Sequence, residues 1–379
     1  MPRLFLSAGD ISGDQHAARL LTALHRRVPG LHCEGLGGPA LSAAGMAIHE
    51  DLVSRAIIGI GPALREVPHL LGLLRRVAGI LDARRPDVVV LVDYPGLNLY
   101  VARLAHRRGI PVVYFIAPQL WAWAPWRARR FARVVDEALV LFPFEQGFFR
   151  RAGMAAHHIG HPVLDGLPAA PPLRREITQL PAPVALLPGS RRREVATNLP
   201  IMLAAAAALH ARQPQTSFHS AHVDSRRRDE MAALARAAGV ALQIHADDVH
   251  GVMASCRCAA VASGTATLET AALDTPLVVF YRITRGEELI RRHLLVAPWI
   301  SQVNLVAGRE VVQELLPCHD DPGPLSLTLE QLLDEGTAAQ QRRDLEEVRA
   351  AALGPGAVER AAAHIAPRLS QAGSPARPG

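Results

Sequence analysis

The chain contains no lysine, so arginine carries all of its permanent basic charge. Its 41 basic residues against 35 acidic residues give a net charge of +6. An excess of positive charge favours anionic partners, such as phosphorylated sugars, acidic lipid headgroups or nucleic acid. The charge by itself does not choose among these three classes.

Cysteine and long apolar runs are scarce as well. The 379 residues include four cysteines, too few and too scattered for a disulfide framework, and we expect reduced thiols. No apolar run approaches the roughly 20 residues that span a bilayer. Met1–Ser12 lacks the charged and long apolar regions of a secretory signal. We therefore expect a cytoplasmic protein.

Several ligand-binding motifs are missing too. The first strand and turn lack the G-x-G-x-x-G spacing of dinucleotide-binding enzymes. No Asp-x-Asp occurs either. His157 and His161 have the spacing for metal chelation on a helix, but Gly160 and Pro162 favour a loop. We expect no metal site.

What the chain has is a repeated alternation of apolar strands and helical segments. Continuous apolar runs such as Val88–Val92 are typical of strands buried on both faces. The alternation restarts after a proline-rich stretch, which predicts an α/β protein with two Rossmann-like, doubly wound domains facing a cleft. The expected ranges are an N-terminal domain 1–167, a C-terminal domain 173–340, C-terminal helices 341–369 and a disordered tail 370–379. Whether those helices pack back on the N-terminal domain stays open.

The most informative segment runs from Ala259 to Glu269, an apolar strand, a small-residue turn and the start of a helix. A helix start offers unpaired N–H groups and a positive dipole end. Ser263, Gly264, Thr265 and Ala266 could therefore receive a diphosphate, and Glu269 could reach a sugar hydroxyl. The alternative is a turn that only lets the helix pack closely on the sheet.

Two further strand ends carry candidate groups. Gly189, Ser190 and Arg191 follow a strand, and the Arg191 guanidinium could bind a phosphate through two parallel hydrogen bonds. The alternative there is a solvated loop. Asp93 follows the buried strand Val88–Val92, where partial desolvation would raise its pKa toward that of a general base. The alternative is that Asp93 caps the next helix or forms a hydrogen bond within a turn.

Tryptophan and arginine cluster between Phe115 and Phe131, with Trp121 and Trp123 among them. Such a mixture is typical of a membrane interface or an acyl-chain pocket. It would equally suit single-stranded nucleic acid.

Taken in order, the motifs of the chain resemble those of the lipid-A-disaccharide synthase family, glycosyltransferases of Gram-negative envelope synthesis. The resemblance spans about Leu4 to Leu316. The motifs that carry it are Ser7–Asp14, Gly37–Pro39, Asp93–Pro95, Ala117–Trp123, Phe142–Glu145, Gly160–Pro162, Leu187–Arg191, Ala262–Glu269 and Asn304–Glu310.

The resemblance implies a GT-B fold and an inverting, metal-independent reaction without a cofactor. UDP-2,3-diacylglucosamine would be joined to 2,3-diacylglucosamine 1-phosphate, releasing UDP and a β-1,6 disaccharide 1-phosphate. Because both substrates carry acyl chains, the resemblance also implies a peripheral position at the inner membrane. No nucleic-acid partner is expected, and a homodimer stays open.

The resemblance also implies roles for individual residues. Asp93 would be the general base, with Asp10 and Asn304 as further catalytic residues. The UDP would be held by Gly189, Ser190, Arg191, Asn304, Ser263, Gly264, Thr265, Ala266 and Glu269. The acceptor and its lipid would contact Ser12, Gly13, Trp121, Trp123 and Arg309.

The chain departs from the family pattern in four places, and these departures concern the choice of acceptor more than the binding of UDP. Asp10 stands where glutamate is usual, and residues 57–62 replace a Met-Gly segment that continues into Glu-Val. Gly96 replaces an aspartate, and Gln302-Val303 replaces Leu-Pro. A GT-B transferase or epimerase acting on another UDP-sugar is therefore the alternative function. A non-catalytic nucleotide-sugar or nucleic-acid binder is a rival of another class.

Overall fold

A computed structural model describes residues 1–57, 63–168, 173–246, 248–294 and 296–370. The chain divides into two compact units, unit 1 with residues 1–162 and 356–379, and unit 2 with residues 163–355. The expected domain boundary at residue 167 lies close to residue 162, where the chain passes from unit 1 into unit 2. The tail 371–379 and residues 58–62 of one family departure lie outside the described residues.

Unit 1 contains a seven-stranded parallel sheet in the order β3-β2-β1-β4-β5-β6-β7. Its strands are β1 Arg3–Ala8, β2 His32–Gly37, β3 Ala47–Asp51, β4 Val88–Val92, β5 Val112–Phe115, β6 Glu137–Val140 and β7 Ala155–His158. Its helices up to residue 162 are α1 Ile11–Arg27, α2 Pro39–Ala43, α3 Leu52–Ile57, α4 Ala63–Arg84, α5 Pro95–His106, α6 Leu120–Trp123, α7 Ala128–Phe131 and α8 Pro143–Arg151.

The apolar run of β4 is buried on both faces, as its sequence predicts. Val88, Val90 and Val92 join one core with α1, while Val89 and Leu91 join a second core with α4 and α5. Alternate side chains of a strand point to opposite faces, so one run of five apolar residues serves two cores. The result is a central strand, β4, whose five residues are all buried.

Unit 2 contains a six-stranded parallel sheet in the order β10-β9-β8-β11-β12-β13. Its strands are β8 Ala182–Leu187, β9 Thr216–His222, β10 Leu242–Ala246, β11 Cys258–Val261, β12 Leu277–Phe280 and β13 Glu314–Leu315. Its helices are α9 Arg175–Thr178, α10 Arg192–Arg212, α11 Ser225–Ala237, α12 Val249–Ser255, α13 Thr265–Ala272, α14 Arg285–Leu294, α15 Gln302–Ala307, α16 Gly323–Leu333 and α17 Glu335–Ala351. Two doubly wound parallel α/β domains, the predicted fold class, are confirmed.

The C-terminal helices divide between the two units. The helix α17 packs on α13, α15 and α16 within unit 2, and Asp334 separates it from α16 by accepting the N–H of Thr337. The last helix, α18 Ala357–Ser370, packs on α1 in unit 1 and buries Ala361 and Ile365. The expected 341–369 segment is thus not one structural piece.

One predicted helix is much shorter than expected. The sequence predicts a helix over Arg127–Asp136, whereas the chain forms a single 3-10 turn at Pro125–Arg127 and then α7, which ends at Phe131. The burial of Phe131 and Val135 in the second core of unit 1 fixes this irregular segment. Tertiary packing here overrides helix propensity.

Candidate functional site

The strand order of unit 1 reverses between β1 and β4, and Asp10 and Asp93 follow these two strands. Ala8 lies opposite Val92 in the parallel register, so the two carboxylates leave neighbouring strand ends. In open α/β sheets, ligands bind at such a reversal, outside the carboxyl ends of the strands. The sheet topology therefore brings together two predicted catalytic residues.

The backbone at Asp93 is held in an unusual conformation. Asp93 and Tyr94 both have left-handed backbones, with φ of +43° and +48°. The carbonyl oxygen of Asp93 accepts hydrogen bonds from the Asn98 amide at 2.8 Å and the Tyr114 hydroxyl at 2.6 Å. Left-handed non-glycine residues cost about 1–3 kcal/mol each and persist where their surroundings fix them, often at functional sites.

Burial and a neighbouring charge both act on the pKa of the Asp93 carboxyl. Burial raises the pKa of the Asp93 carboxyl, and the negative charge of Asp10 raises it further, while the Tyr94 N–H lowers it. Tyr94, not Asp93, occupies the cap position of α5, and its side chain makes no capping bond. The alternative that Asp93 caps this helix is therefore wrong, whereas the alternative of a hydrogen bond within the turn agrees with the bond from the Tyr94 N–H to the Asp93 carboxylate.

Asp10 has a structural bond in addition to its charge. Its side chain caps α1 by accepting the N–H of Gly13 at 2.8 Å. A Cβ atom at Gly13 would lie 2.5 Å from an Asp10 oxygen, and one at Gly9 would lie 2.3 Å from the Tyr94 ring. Gly13 is buried and Ser12 is exposed, and the assignment of both to the acceptor stays a prediction. Sequence reasoning missed the contact of Gly9 with Tyr94.

Trp121 is fixed by a buried carboxylate. Its indole N–H donates to Glu145 at 2.7 Å, and its ring packs edge-on against Phe144 at 4.8 Å between centroids. Glu145 also accepts the N–H groups of Leu141 and Phe142. Burial raises the pKa of Glu145 to about 7, although the three hydrogen bonds lower it. Among these bonds, the one from Trp121 lowers the pKa most. Glu145 belongs to a recognised motif, but its role became visible only in three dimensions.

The neighbouring tryptophans are more exposed. Trp123 is 42% exposed and Trp126 is 71% exposed. The guanidinium of Arg127 lies 5.4 Å from the centre of the Trp123 ring, within the range of a cation–π contact. These residues form an apolar and basic surface after β5, as the sequence predicts for an interfacial or acyl-binding segment.

In unit 2 the strand order reverses between β8 and β11, and both phosphate-binding candidates follow these strands. Leu187 lies opposite Val261, so the turns after the two strands are neighbours. Gly264 precedes α13 with φ of +155°, and no side chain caps the helix. Gly264 and Thr265 are exposed, and within the described residues no partner is seen for the N–H groups of Thr265 and Ala266. This helix start is open to an anion.

Side chains behind the α13 turn hold its shape. The Ser263 hydroxyl donates to the carbonyl of Ile300 at 3.2 Å, and the Thr267 hydroxyl donates to that of Gly264 at 2.8 Å. Glu269, one turn into the helix, lies 3.2 Å from the ring of His250. Sequence reasoning missed His250, which lies on α12 outside the recognised motifs.

In the turn after β8, the carboxylate of Glu194 occupies the backbone hydrogen-bond donors. Glu194 accepts the N–H groups of Ser190 at 3.0 Å and Arg191 at 3.1 Å, and it also pairs with the Arg191 guanidinium. The backbone N–H groups of Ser190 and Arg191 are therefore already used, and the assignment of Gly189, Ser190 and Arg191 to UDP stays a prediction. Gly189, at φ +112°, leaves the room that Glu194 occupies. The Arg191 side chain is 83% exposed, and an exposed ion pair of this kind costs little to exchange.

Asn304 belongs to a buried network of hydrogen bonds in unit 2, and its assignment as catalytic and UDP-binding stays a prediction. It is fully buried, and its amide donates to Val312 and Glu314 and accepts the N–H groups of Val311 and Val312. All of its hydrogen-bonding capacity is satisfied within the protein. Glu314 in turn accepts the N–H groups of Ile300 and Ser301, so Asn304 supports the segment that Ser263 contacts.

Arg309 forms ion pairs within unit 2, and its assignment to the acceptor stays a prediction. Its guanidinium lies 2.9 Å from Asp344 and 2.8 Å from Glu347, both on α17. Arg309 therefore fastens the end of α15 to α17 within unit 2. The two carboxylates offset the positive charge of Arg309.

Comparison with known proteins adds a second line of evidence. The sequence profile of the family described as lipid-A-disaccharide synthetase matches residues 4–366. The chain belongs to this family. Among its relatives, the lipid-A-disaccharide synthase of Syntrophus aciditrophicus is 36% identical over 95% of this chain and 96% of that one. The synthase of Myxococcus xanthus is 35% identical over 96% and 97%.

Solved structures agree with the fold of this lipid-A-disaccharide synthetase family member. A putative UDP-N-acetylglucosamine 2-epimerase from Listeria monocytogenes superposes with a TM-score of 0.64 at 13% identity, covering 97% of each chain. A calicheamicin glycosyltransferase superposes with a TM-score of 0.60 at 17% identity, covering 99% of this chain and 100% of that one. The expected glycosyltransferase fold of the GT-B type is confirmed.

One described helix of this family member, α10, is long and apolar enough to cross a membrane. Half of its apolar window is buried, and the helix packs on α11 and α16 in unit 2. Its buried residues, which include Leu199, Met202 and Leu209, belong to the core of that unit. The surroundings of α10 are those of a core helix.

Proposed function

We propose that the chain joins UDP-2,3-diacylglucosamine to 2,3-diacylglucosamine 1-phosphate and releases UDP, as a lipid-A-disaccharide synthase. Family membership supports the reaction class, and one structural observation carries the mechanism. That observation is Asp93, half-buried beside Asp10 at the strand-order reversal of unit 1, with a raised pKa and a fixed backbone.

In this proposal Asp93 is the general base. Its carboxylate takes the proton of the acceptor's 6-hydroxyl as that oxygen forms a bond to the anomeric carbon of the donor. The bond from this carbon to the UDP oxygen breaks, and its electron pair leaves with the diphosphate. One displacement of this kind inverts the configuration at the anomeric carbon and gives a β linkage.

The diphosphate is assigned to unit 2. The open N-terminus of α13 at Ser263, Gly264, Thr265 and Ala266 supports this assignment, because unpaired N–H groups and the helix dipole stabilise negative charge. Arg191 would exchange its exposed pair with Glu194 for the phosphate. Glu269, beside His250, remains the candidate for a ribose hydroxyl.

The acceptor and its acyl chains are assigned to unit 1. Ser12 and Trp123 are exposed, and Trp121 is oriented by Glu145. The apolar and basic surface around Trp123 and Trp126 supports the further proposal of a peripheral contact with the inner membrane. A homodimer stays a prediction.

Product analysis by mass spectrometry tests the proposed reaction. Incubation with both diacylated substrates should yield UDP and a disaccharide phosphate in equal amounts. A parallel incubation with UDP-N-acetylglucosamine alone tests the alternative of an epimerase, a class that occurs among the structural neighbours. Appearance of the 2-epimer there, without disaccharide in the first incubation, would refute the synthase assignment.

The charge of Asp10 provides a test through pH dependence. The base must be deprotonated, so activity falls as the pH drops through the pKa of Asp93. Asp10→Asn removes the neighbouring charge that raises this pKa, and asparagine still caps a helix. The acid limb of kcat/KM should therefore move to lower pH, although burial of Asp93 keeps it above that of an ordinary aspartate.

Asp87→Asn is the matched control for this shift. Asp87 accepts the N–H of Arg3 at 2.7 Å, just before β4 and at the opposite edge of the sheet. This variant removes the same charge and should leave the acid limb in place. If the acid limb of Asp10→Asn also stays in place, Asp10 does not act on the titrating base.

A further inference from the structure

Away from the carboxyl edge of the sheet, unit 1 contains a carboxylate and two imidazoles that converge. Glu137 is the first residue of β6, His157 lies on β7 and His364 lies on α18. One Glu137 oxygen is 3.2 Å from Nε2 of His157 and 3.3 Å from Nδ1 of His364. Neither the reaction nor the recognised motifs use this cluster.

The spacing of these atoms is that of metal ligands. In a tetrahedral zinc site, bonds of about 2.0–2.2 Å separate neighbouring ligand atoms by roughly 3.3–3.5 Å. The two distances from Glu137 agree with this separation, and all three ligand atoms lie within 4.8 Å of one another. Two imidazoles and one carboxylate are a ligand set that zinc accepts.

The surroundings hold the carboxylate in place. The Glu137 side chain is 4% exposed, and its second oxygen forms an ion pair with the guanidinium of Arg368 on α18. In metal sites, residues that are not ligands themselves often bind a ligating carboxylate in this way and orient it. The positive charges of Arg368 and Arg150 also act on His157 and oppose a cation, so we expect moderate affinity.

We propose that Glu137, His157 and His364 form a binding site for a zinc-like divalent cation, with solvent as the fourth ligand. The histidine side chains are 39% and 37% exposed, which leaves one side of the site open to water. The proposal departs from the sequence expectation of no metal site. The partner of His157 in it is His364 on α18, not His161.

Such a cation would tie α18 to the sheet. Unit 1 is assembled from two chain segments, 1–162 and 356–379, and the cluster joins residues 137 and 157 to residue 364. A ligand that binds only this folded arrangement stabilises it by mass action. The site is independent of the proposed sugar transfer.

Metal titration of the untagged, metal-free full chain at pH 8 tests this site. Zn²⁺ should bind with one equivalent at the cluster and raise the melting temperature, and Co²⁺ should give the intense visible bands of tetrahedral coordination. In His364→Asn and in His157→Asn the affinity of this equivalent should fall by more than the roughly 10–100-fold that changes outside the ligand shell cost.

His106→Asn is the matched control, because His106 is exposed on α5 and takes no part in the cluster. This variant should bind metal like the wild type. Melting temperatures without metal show whether the cluster variants still fold. Folded variants that bind Zn²⁺ and Co²⁺ as the wild type does would overturn the proposal, as would a wild type that shows no binding.

Discussion

Replacing Asp93 by asparagine is expected to lower kcat for sugar transfer by roughly 10²- to 10⁴-fold, the usual contribution of a general base. Asparagine has nearly the same shape and tolerates the left-handed backbone that Asp93 adopts at φ +43°. The carbonyl bonds from Asn98 and Tyr114 would remain. The variant therefore removes the proton acceptor and little else, and its affinity for UDP should stay close to that of the wild type.

Steady-state kinetics and calorimetric UDP binding measure these two quantities. Asp82→Asn is a suitable control, because Asp82 is an exposed aspartate of α4 that pairs only with Arg108 at 2.7 Å among the described contacts. It should transfer sugar at the wild-type rate. Near-normal turnover in Asp93→Asn would remove Asp93 from the mechanism.

Thr265→Glu is expected to weaken UDP binding by about 100-fold. The new carboxylate would stand at the exposed start of α13, where it repels the diphosphate and competes for the same N–H groups. Loss of charge-assisted hydrogen bonds worth about 3 kcal/mol corresponds to that factor. Calorimetry with UDP measures the change without requiring either lipid substrate.

The same substitution at another helix start provides the control for this variant. Thr337 is exposed in the first turn of α17, whose cap is supplied by Asp334. Thr337→Glu should bind UDP normally, although it adds the same charge to the same unit. Equal UDP affinity in Thr265→Glu and the wild type would mean that α13 does not hold the diphosphate.

Local patterns in the sequence predicted the fold well. The all-apolar run Val88–Val92 indicated a strand buried on both faces, and the two cores of unit 1 confirm that prediction. The segment Ser263–Ala266 predicts a helix start, and α13 begins there without a side-chain cap. Such features depend on neighbouring residues, which the sequence shows directly.

Features that depend on distant residues could not be predicted in this way. Asn304 stands in a recognised motif, but its hydrogen bonds are satisfied by residues 311–314, which return beside it only in the fold. The backbone donors at Ser190 and Arg191 are used by Glu194, a residue whose reach depends on the turn at Gly189. A motif identifies a residue type at a position and leaves its partners undetermined.

The configuration of the new glycosidic bond tests the central claim most directly. Nuclear magnetic resonance of the product made from an α-linked UDP donor reports whether the anomeric carbon has inverted. A single displacement with Asp93 as the base predicts only the β-linked disaccharide. An α-linked product would require another mechanism and would contradict the role of Asp93.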